Sequence, residues 1–290
     1  MKPMNNSPIT PVAPPYALVD AKHGKFLVNS QDTYIGNSML SYGEYSEIEL
    51  EFIIQHIPEG RDVIEVGSNI GTHSVPLAKY VAIEGRRLMC VEMQPEVFHL
   101  MKTNVMINCH NNVDMFNIAA GDLEGVVYFS EPDYGRQNNF GGVSVATDEE
   151  ARKMPNPKEI PIHRLDGIIP LSYTNIGLIK IDVEGFELPV LKGLRKTIKT
   201  HFPVLYLEND RVDKSSELIQ YILDLGYKVK WHIPYLFNPT NHFSSKQNLF
   251  GNVASFNMIA IHPSTYIDKT WFNKLYDVDP KGPHPSTRQI

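Results

Sequence analysis

Ten residues, Asp62 to Gly71 (D-V-I-E-V-G-S-N-I-G), constrain the fold of this chain more than any other stretch. Val63, Ile64 and Val66 form a short apolar run that breaks at Gly67, and the pattern restarts as a helix near Gly71. An apolar run of this length bounded by glycine predicts a central parallel strand, covered on both faces. Gly67 lets the backbone approach a ligand with no Cβ in the way, and Gly71 allows a tight entry to the helix. Such a strand-turn-helix at the carboxyl edge of an open α/β sheet is where nucleotide-like ligands bind. The glycine spacing is G-x-x-x-G, not the G-x-G-x-x-G of a dinucleotide site. Glu65 would repel a pyrophosphate and suits a cationic ligand instead. An acid, two glycines and Asn69 are a set that holds the amino-acid end of S-adenosylmethionine. The plainer reading is a glycine turn that serves only the fold.

At 290 residues, 42% hydrophobic and 21% charged, the chain has the material for a sizeable core in one large or two small domains. A net charge of −6 argues against nucleic acid as the main partner. Two cysteines, Cys90 and Cys109, give no disulfide framework, and Cys90 sits in an apolar run as core. This favours a reducing compartment, and a cytoplasmic location is expected. The N-terminus lacks the apolar segment of a signal peptide, and no window reaches transmembrane length. Residues 1–20 read as a flexible proline-rich arm and 278–290 as a flexible tail. Between them a single domain is expected over 21–265, with an N-terminal cap (21–60), a cofactor half (62–145) and a substrate half (160–262).

In the cap, Ser46 with Glu49 three residues on reads as a capping box, and Ile48, Phe52 and Ile53 mark one helix face. Pro76 places the helix after the glycine turn near Ser74. A second strand, Arg87 to Glu92, ends in an acid roughly 20–25 residues after Gly71, the offset at which a carboxylate takes ribose hydroxyls. A solvated strand end is the alternative for Glu92. Pro95 opens a helix with Val97, Leu100, Met101 and Val105 on one face. A third strand, Val113 to Ala119, runs into A-A-G-D, where small residues leave room for a flat ring and Asp122 could accept from an amino group, or where the chain simply turns. Residues 123–145 read as inserted β structure with a Gly/Asn-rich loop, and 146–159 as an exposed excursion. The fourth strand, Ile176 to Ile181, ends in Asp182 and Glu184; the fifth ends in Glu208 with Asp210 nearby. Acids crowded at one edge need a sulfonium, a metal ion or a proton-bearing hydroxyl between them. Tyr227 to Ile233 and Ser255 to Ile261 are the last strands expected.

These stretches together resemble the FkbM family of S-adenosylmethionine-dependent methyltransferases: Y-G-E-Y-S-E-I-E at 42–49, D-V-I-E-V-G-S-N-I-G-T-H-S at 62–74, V-E at 91–92, A-A-G-D at 119–122, R-L-D at 164–166 and I-K-I-D-V-E-G-F-E-L-P-V-L-K-G at 179–193. Glu65 departs conservatively from the family's usual aspartate, and 123–159 follows the pattern only loosely. The resemblance implies a class I, Rossmann-like fold: a seven-stranded, mostly parallel sheet with helices on both faces, plus the cap and the inserted β structure. It implies S-adenosyl-L-methionine as cofactor and methylation of a hydroxyl on a sugar, glycan or other natural product. Carried over, Glu65, Gly67, Asn69, Gly71 and Thr72 line the methionine end, Glu92 takes the ribose, and Ala119, Ala120 and Asp122 meet the adenine. Glu44 closes over the same pocket. Asp182, Glu184 and Glu208 face the transferred methyl.

Methyl transfer is an in-line displacement, so catalysis rests on holding nucleophile and sulfonium collinear. A base near an alcohol adds a factor of ~10²–10⁴. Asp182 or Glu184 is the expected base, with Glu208 next and His163 more plausibly structural. A divalent metal shared by Asp182, Glu184 and Glu208 is a rival, since hard cations take oxygen ligands. A nicotinamide dehydrogenase lacks its fingerprint here, and a nucleic-acid methyltransferase lacks the N-P-P-Y type of strand ending. A ligand-binding protein with no catalysis is the non-enzymatic alternative. Two loops exceed what the core needs: Asn138 to Ser144 and Pro234 to Phe243. Asn138, Ser144, Tyr235, Asn238 and Asn241 are their candidates for contacting a sugar, through aromatic stacking and side-chain amides.

Overall fold

The computed structural model of the chain describes residues 7–108, 111–146, 148–265 and 267–287; Cys109 lies outside them. An antiparallel sheet of β1 (Ile9–Pro11), β2 (Tyr16–Ala21) and β3 (Gly24–Asn29) leads into α1 (Ile35–Tyr42) and α2 (Glu47–Gln55). The first half of the main sheet follows as β4 (Asp62–Val66), α3 (Ser74–Ala82), β5 (Leu88–Val91), α4 (Pro95–Asn108) and β6 (Val113–Phe116). An insertion carries β7 (Ala119–Ala120), β8 (Gly125–Ser130), the short α5 (Asp148–Ala151) and β9 (Pro157–His163). The second half is β10 (Ile176–Ile181), α6 (Glu187–Gly193), α7 (Arg195–His201), β11 (Val204–Glu208), α8 (Val212–Asp224), β12 (Lys228–His232), β13 (Asn257–Ile261) and β14 (Tyr276–Asp277).

The main sheet has the order β14-β12-β13-β11-β10-β4-β5-β6 among the described residues. β6, β5, β4, β10 and β11 are parallel, and β13 runs antiparallel to both β11 and β12. The sheet has eight strands among the described residues where seven were expected, because β14 pairs with Lys230 and Trp231 at the edge. Every residue of β4, β5 and β10 is buried. Alternation then sends neighbours to opposite layers. Val63, Leu88 and Leu178 pack with α2, α3 and α4, whereas Ile64, Met89 and Ile179 pack with α6, α7 and α8. A chain wound first to one side and then to the other reverses between β4 and β10. The loops there diverge, and a crevice opens at their carboxyl ends.

Several expectations are corrected. The stretch expected as a loose arm forms β1 and β2 in its described part, because Val19 and Ala21 bury against α4 and α1 and the Tyr16 hydroxyl bonds Glu96. The expected flexible tail is likewise pinned: Ser216 donates to the Pro280 carbonyl at 2.9 Å, and His284 is buried with Nε2 2.6 Å from the Asn209 carbonyl oxygen. The third strand stops at Phe116. Asn117 bonds the carbonyls of Glu92 and Met93, and Ala119–Ala120 swings out to pair with Ile162 and His163. The excursion expected over 146–159 is mostly exposed in its described part, and it also holds α5 and the start of β9, which pairs with β8. Ser46 is not a capping box: its φ is +45°, and its hydroxyl bonds the Glu49 carboxylate at 3.0 Å instead of a helix N–H.

Gly67 is where the two halves of the sheet lock. Its φ is +82°, and a Cβ there would stand 1.7 Å from the Asp182 carbonyl oxygen. Only glycine fits both the left-handed backbone and that approach. Gly67→Ala is expected to cost about 3 kcal/mol, from strain plus overpacking. Gly60→Ala has a similar φ of +67° with no atom within 4 Å of the added Cβ, so it should lose about 1 kcal/mol. Urea titration of both variants measures the difference, and equal losses would show that the strand ends are not locked.

Candidate functional site

The crevice is a cavity of about 540 Å³, within the range of small-molecule sites. Its floor is the carboxyl edge of the sheet. Glu65 and the Gly67–Asn69 turn come from β4, Glu92 follows β5, Ala119 and Ala120 are β7, Lys180 to Glu184 leave β10, and Glu208 ends β11. The cap supplies Tyr34, Tyr45 and Glu49, and the insertion supplies Asn139, Gly141 and Gly142. Gln94 holds the insertion loop in place, donating to the Phe140 carbonyl at 2.8 Å and accepting from the Tyr134 hydroxyl at 3.0 Å.

Glu92 is shaped as a polar platform. Its carboxylate accepts from the Asn69 N–H at 2.9 Å and the Gln94 N–H at 2.8 Å, tying the glycine turn to the next strand. Each oxygen keeps a lone pair, so two neighbouring hydroxyls could be held there. Burial pushes its pKa up to about 7, against the opposing pull of those N–H groups.

The opposite end is organised by Lys180, a cation 3% exposed. Its Nζ lies 3.1 Å from Asp182 Oδ2. Burial alone would lower its pKa, but Asp182, then Glu65 and Glu49, outweigh this and hold it above the usual lysine value. Glu65 is buried and takes the Ser74 hydroxyl, so it ties β4 to the start of α3 and does not stand free. Glu49, from the cap, is pushed up to about 7 by burial, with Lys180 pulling the other way. Beyond Lys180, one oxygen from each of Asp182, Glu184 and Glu208 converges within 4.8 Å. Glu184 has a φ of +54° and is paired with Arg211, which also meets Asp210 at 3.2 Å. Glu208 Oε2 is buried without a partner. Burial first, then the charge of Asp182, push both Glu184 and Glu208 upward.

Of the residues expected at the site, Glu65, Gly67, Asn69, Thr72, Glu92, Ala119, Ala120, Asp182, Glu184 and Glu208 line this one cavity. The others do not. Gly71 packs on Met101. The Asp122 backbone carbonyl is bonded by Arg164, and the residue turns away at the insertion. Glu44 is buried outside the cavity, accepting from Asn238 Nδ2 at 2.7 Å and the His242 N–H at 2.9 Å. It therefore pins the 234–243 loop. Asn241 is buried within that loop, bonded to Asn238 and Ser245, and Tyr235 points to solvent at 49% exposure. Leu236 is the residue of this loop that reaches the cavity. Asn138 pairs with Gln31 and Thr33 through its backbone, and the Ser144 hydroxyl bonds the Glu184 carbonyl. His163 pairs with Glu124 on the insertion, away from the cavity. Glu49, Lys180, Gln94, Arg211 and His73 line the cavity and were not anticipated as site residues. Glu49, Lys180 and His73 stood inside motifs already singled out; Gln94 and Arg211 carried no signal.

A sequence profile of the methyltransferase FkbM domain matches residues 65–229, more than half of the chain. The chain belongs to the FkbM methyltransferase family. It carries a methyltransferase FkbM domain, and its central sheet is mostly parallel with helices packed on both faces. Among solved structures, methyltransferase FkbM from Methylobacillus flagellatus KT is 17% identical, covers 69% of this chain and 43% of its own, and superposes with a TM-score of 0.45. This methyltransferase thus spans less than half the length of that protein. The O-methyltransferase TomG from Streptomyces achromogenes, solved with S-adenosylmethionine, is 10% identical over 75% of this chain and 79% of its own, with a TM-score of 0.43. No curated protein sequence matches the chain. No helix among the described residues is long and apolar enough to cross a membrane.

The buried acids make stability depend on pH. Glu49 and Glu92 ionise near 4.5 when unfolded but near 7 when folded. Between these values the folded state binds more protons, so their contribution is full below about pH 4.5 and is lost as pH rises to about 7. The ligand-free enzyme should melt lower at pH 7.5 than at pH 5, and Glu92→Gln should shrink that difference. Scanning calorimetry at both pH values measures it; an unchanged difference in the variant would mean that Glu92 ionises normally.

Proposed function

We propose that this FkbM methyltransferase methylates a hydroxyl of a sugar, glycan or similar polyhydroxylated natural product. The observation that carries the reading is the convergence of Asp182, Glu184 and Glu208 at one end of the cavity, opposite Glu92. Carboxylates at that end suit a neutral acceptor rich in hydroxyl donors, and Tyr34, Tyr45 and Phe256 offer faces for ring stacking. Few cations face the cavity, Lys180 and Arg211 being already paired with acids, which disfavours a phosphate-rich acceptor.

S-adenosylmethionine supplies an electrophilic methyl group on a positively charged sulfur. The chain's own residues do the rest. Glu92 holds the ribose hydroxyls, Ala119 and Ala120 leave space for the adenine, and the Gly67–Asn69 turn with Thr72 cradles the methionine end. Lys180 fixes one oxygen of Asp182, and the other would take the proton of the acceptor hydroxyl. Burial and the charge of Asp182 push Glu184 and Glu208 upward, so these two acids hold protons readily beside it. Glu44, Asn238 and Asn241 act indirectly, by setting the loop that presents Leu236. A cytoplasmic site of action fits a sequence with two cysteines, too few for a disulfide framework.

The three converging carboxylates also favour a second reading, in which a divalent cation lowers the acceptor's pKa. Lys180 and Arg211 already balance two of these acids, so the metal-free reading is preferred. A protein that binds the same ligand without turnover is the third reading, and the transfer assay below separates it.

Tritium transfer from labelled cofactor to a panel of methyl glycosides and to glycan and lipid fractions tests the acceptor; label found only in lipid or protein would sink the glycan reading. Asp182→Asn and Glu184→Gln should keep cofactor affinity within about 3-fold while turnover falls by about 10²-fold or more. Intact turnover in both would remove the base assignment, and rescue by Mg²⁺ would favour the metal. Glu92→Ala should weaken S-adenosylhomocysteine binding by about 1.5–3 kcal/mol, the loss of a charged hydrogen-bond acceptor. Titration calorimetry reads this directly, and an unchanged affinity takes Glu92 out of the ribose site.

A further inference from the structure

His73 follows the glycine turn at the start of α3 and lines the cavity. Its side chain is 5% exposed, and its Nε2 is buried with no hydrogen-bond partner. The ring does bond the backbone of Tyr45. Since Nε2 has no partner, that bond belongs to Nδ1, which therefore carries the proton. Nε2 is left as a bare lone pair. Burial, with the charge of Lys180, pushes the ring down to about 3, so it stays neutral at physiological pH. A buried acceptor with no donor costs ~1–3 kcal/mol, a cost a bound ligand can remove. Around the ring stand Lys180, Asp182, Glu47 and Tyr45.

We propose that His73 Nε2 accepts a hydrogen bond from the α-ammonium of the cofactor's methionine moiety. A bare buried lone pair suits a cation with N–H donors, and the methyl donor brings one such group. A lone pair would repel the methionine carboxylate. The ring follows directly on the turn that cradles the methionine end, on the opposite side from Glu92. His73 is thus a reader of the amino group and not a general base, because a ring this reluctant to protonate cannot take the acceptor's proton.

Titration calorimetry of S-adenosylhomocysteine, its desamino analogue and its decarboxylated analogue against wild type, His73→Phe and His73→Gln tests this. Phenylalanine keeps the ring and removes both nitrogens; glutamine returns an oxygen near the Nε2 position. His73→Phe should bind S-adenosylhomocysteine and the decarboxylated analogue about 10–100-fold more weakly and the desamino analogue as wild type does. His73→Gln should recover most of the loss. Equal losses for all three ligands would mark a structural role, and a loss confined to the two carboxylate-bearing ligands would assign Nε2 to the carboxylate. Unchanged affinity throughout would hand it to the acceptor. Each of these overturns the proposal. If His73→Phe does not fold, ¹⁵N spectra of histidine-labelled wild type decide: the Nε2 resonance should move with S-adenosylhomocysteine and stay put with the desamino analogue. A resonance that moves equally with both overturns the assignment.

Discussion

A single buried ammonium holds the carboxyl edge of this enzyme together. Lys180 is on β10, yet the acids that hold its charge come from β10 itself, from β4 and from the cap helix α2. A charge this deep is stable only with its partners in place, and removing one partner of such a set costs ~3–5 kcal/mol. The cap is therefore attached to the sheet electrostatically as well as by apolar packing. The same ammonium lets acidic groups crowd around a cavity from which water is partly excluded. Without it, Glu49, Glu65 and Asp182 would repel one another or take up protons.

From that arrangement the two ends of the cavity acquire different characters. At Glu92 the carboxylate is bonded by backbone N–H groups, so its position is fixed by the glycine turn and not by another side chain. At Asp182, Glu184 and Glu208 the acids are set by Lys180, Arg211 and each other. A rigid polar platform suits recognition of a constant partner such as a ribose. A cluster of acids that exchange protons suits chemistry in which a hydroxyl gives one up. Gly67 makes both possible, because any side chain there would force β4 and β10 apart and separate the two ends.

The inserted loop and the 234–243 loop show how substrate-facing surface is built on this frame. Neither meets the cavity through the residues whose chemistry drew attention in the sequence. Asn238 and Asn241 hold backbone, as does Glu44, and it is Leu236 that reaches inward. Asparagine-rich loops spend their amides on their own turns, since a loop with few neighbours must satisfy its backbone locally.

The sequence by itself determined the class of fold and the position of the crevice. Each is encoded locally: an apolar run ending at Gly67, an acid at Glu92 one strand later, and Asp182 with Glu184 after an unbroken buried strand. Ten of the residues expected at the site line one cavity for the same reason, since strand ends of a parallel sheet all open on one edge. Tertiary structure alone decided what joins across the sheet. The partners of Lys180, the reach of Glu49 from the cap toward that ammonium, and the unpartnered Nε2 of His73 depend on elements far apart in the chain. So does the docking of the described parts of both terminal segments, whose proline-rich composition hides that Tyr16 reaches Glu96 on α4 and that His284 reaches Asn209. Periodicity and spacing report what a residue does within its own element; long-range pairing of buried polar groups leaves no such trace.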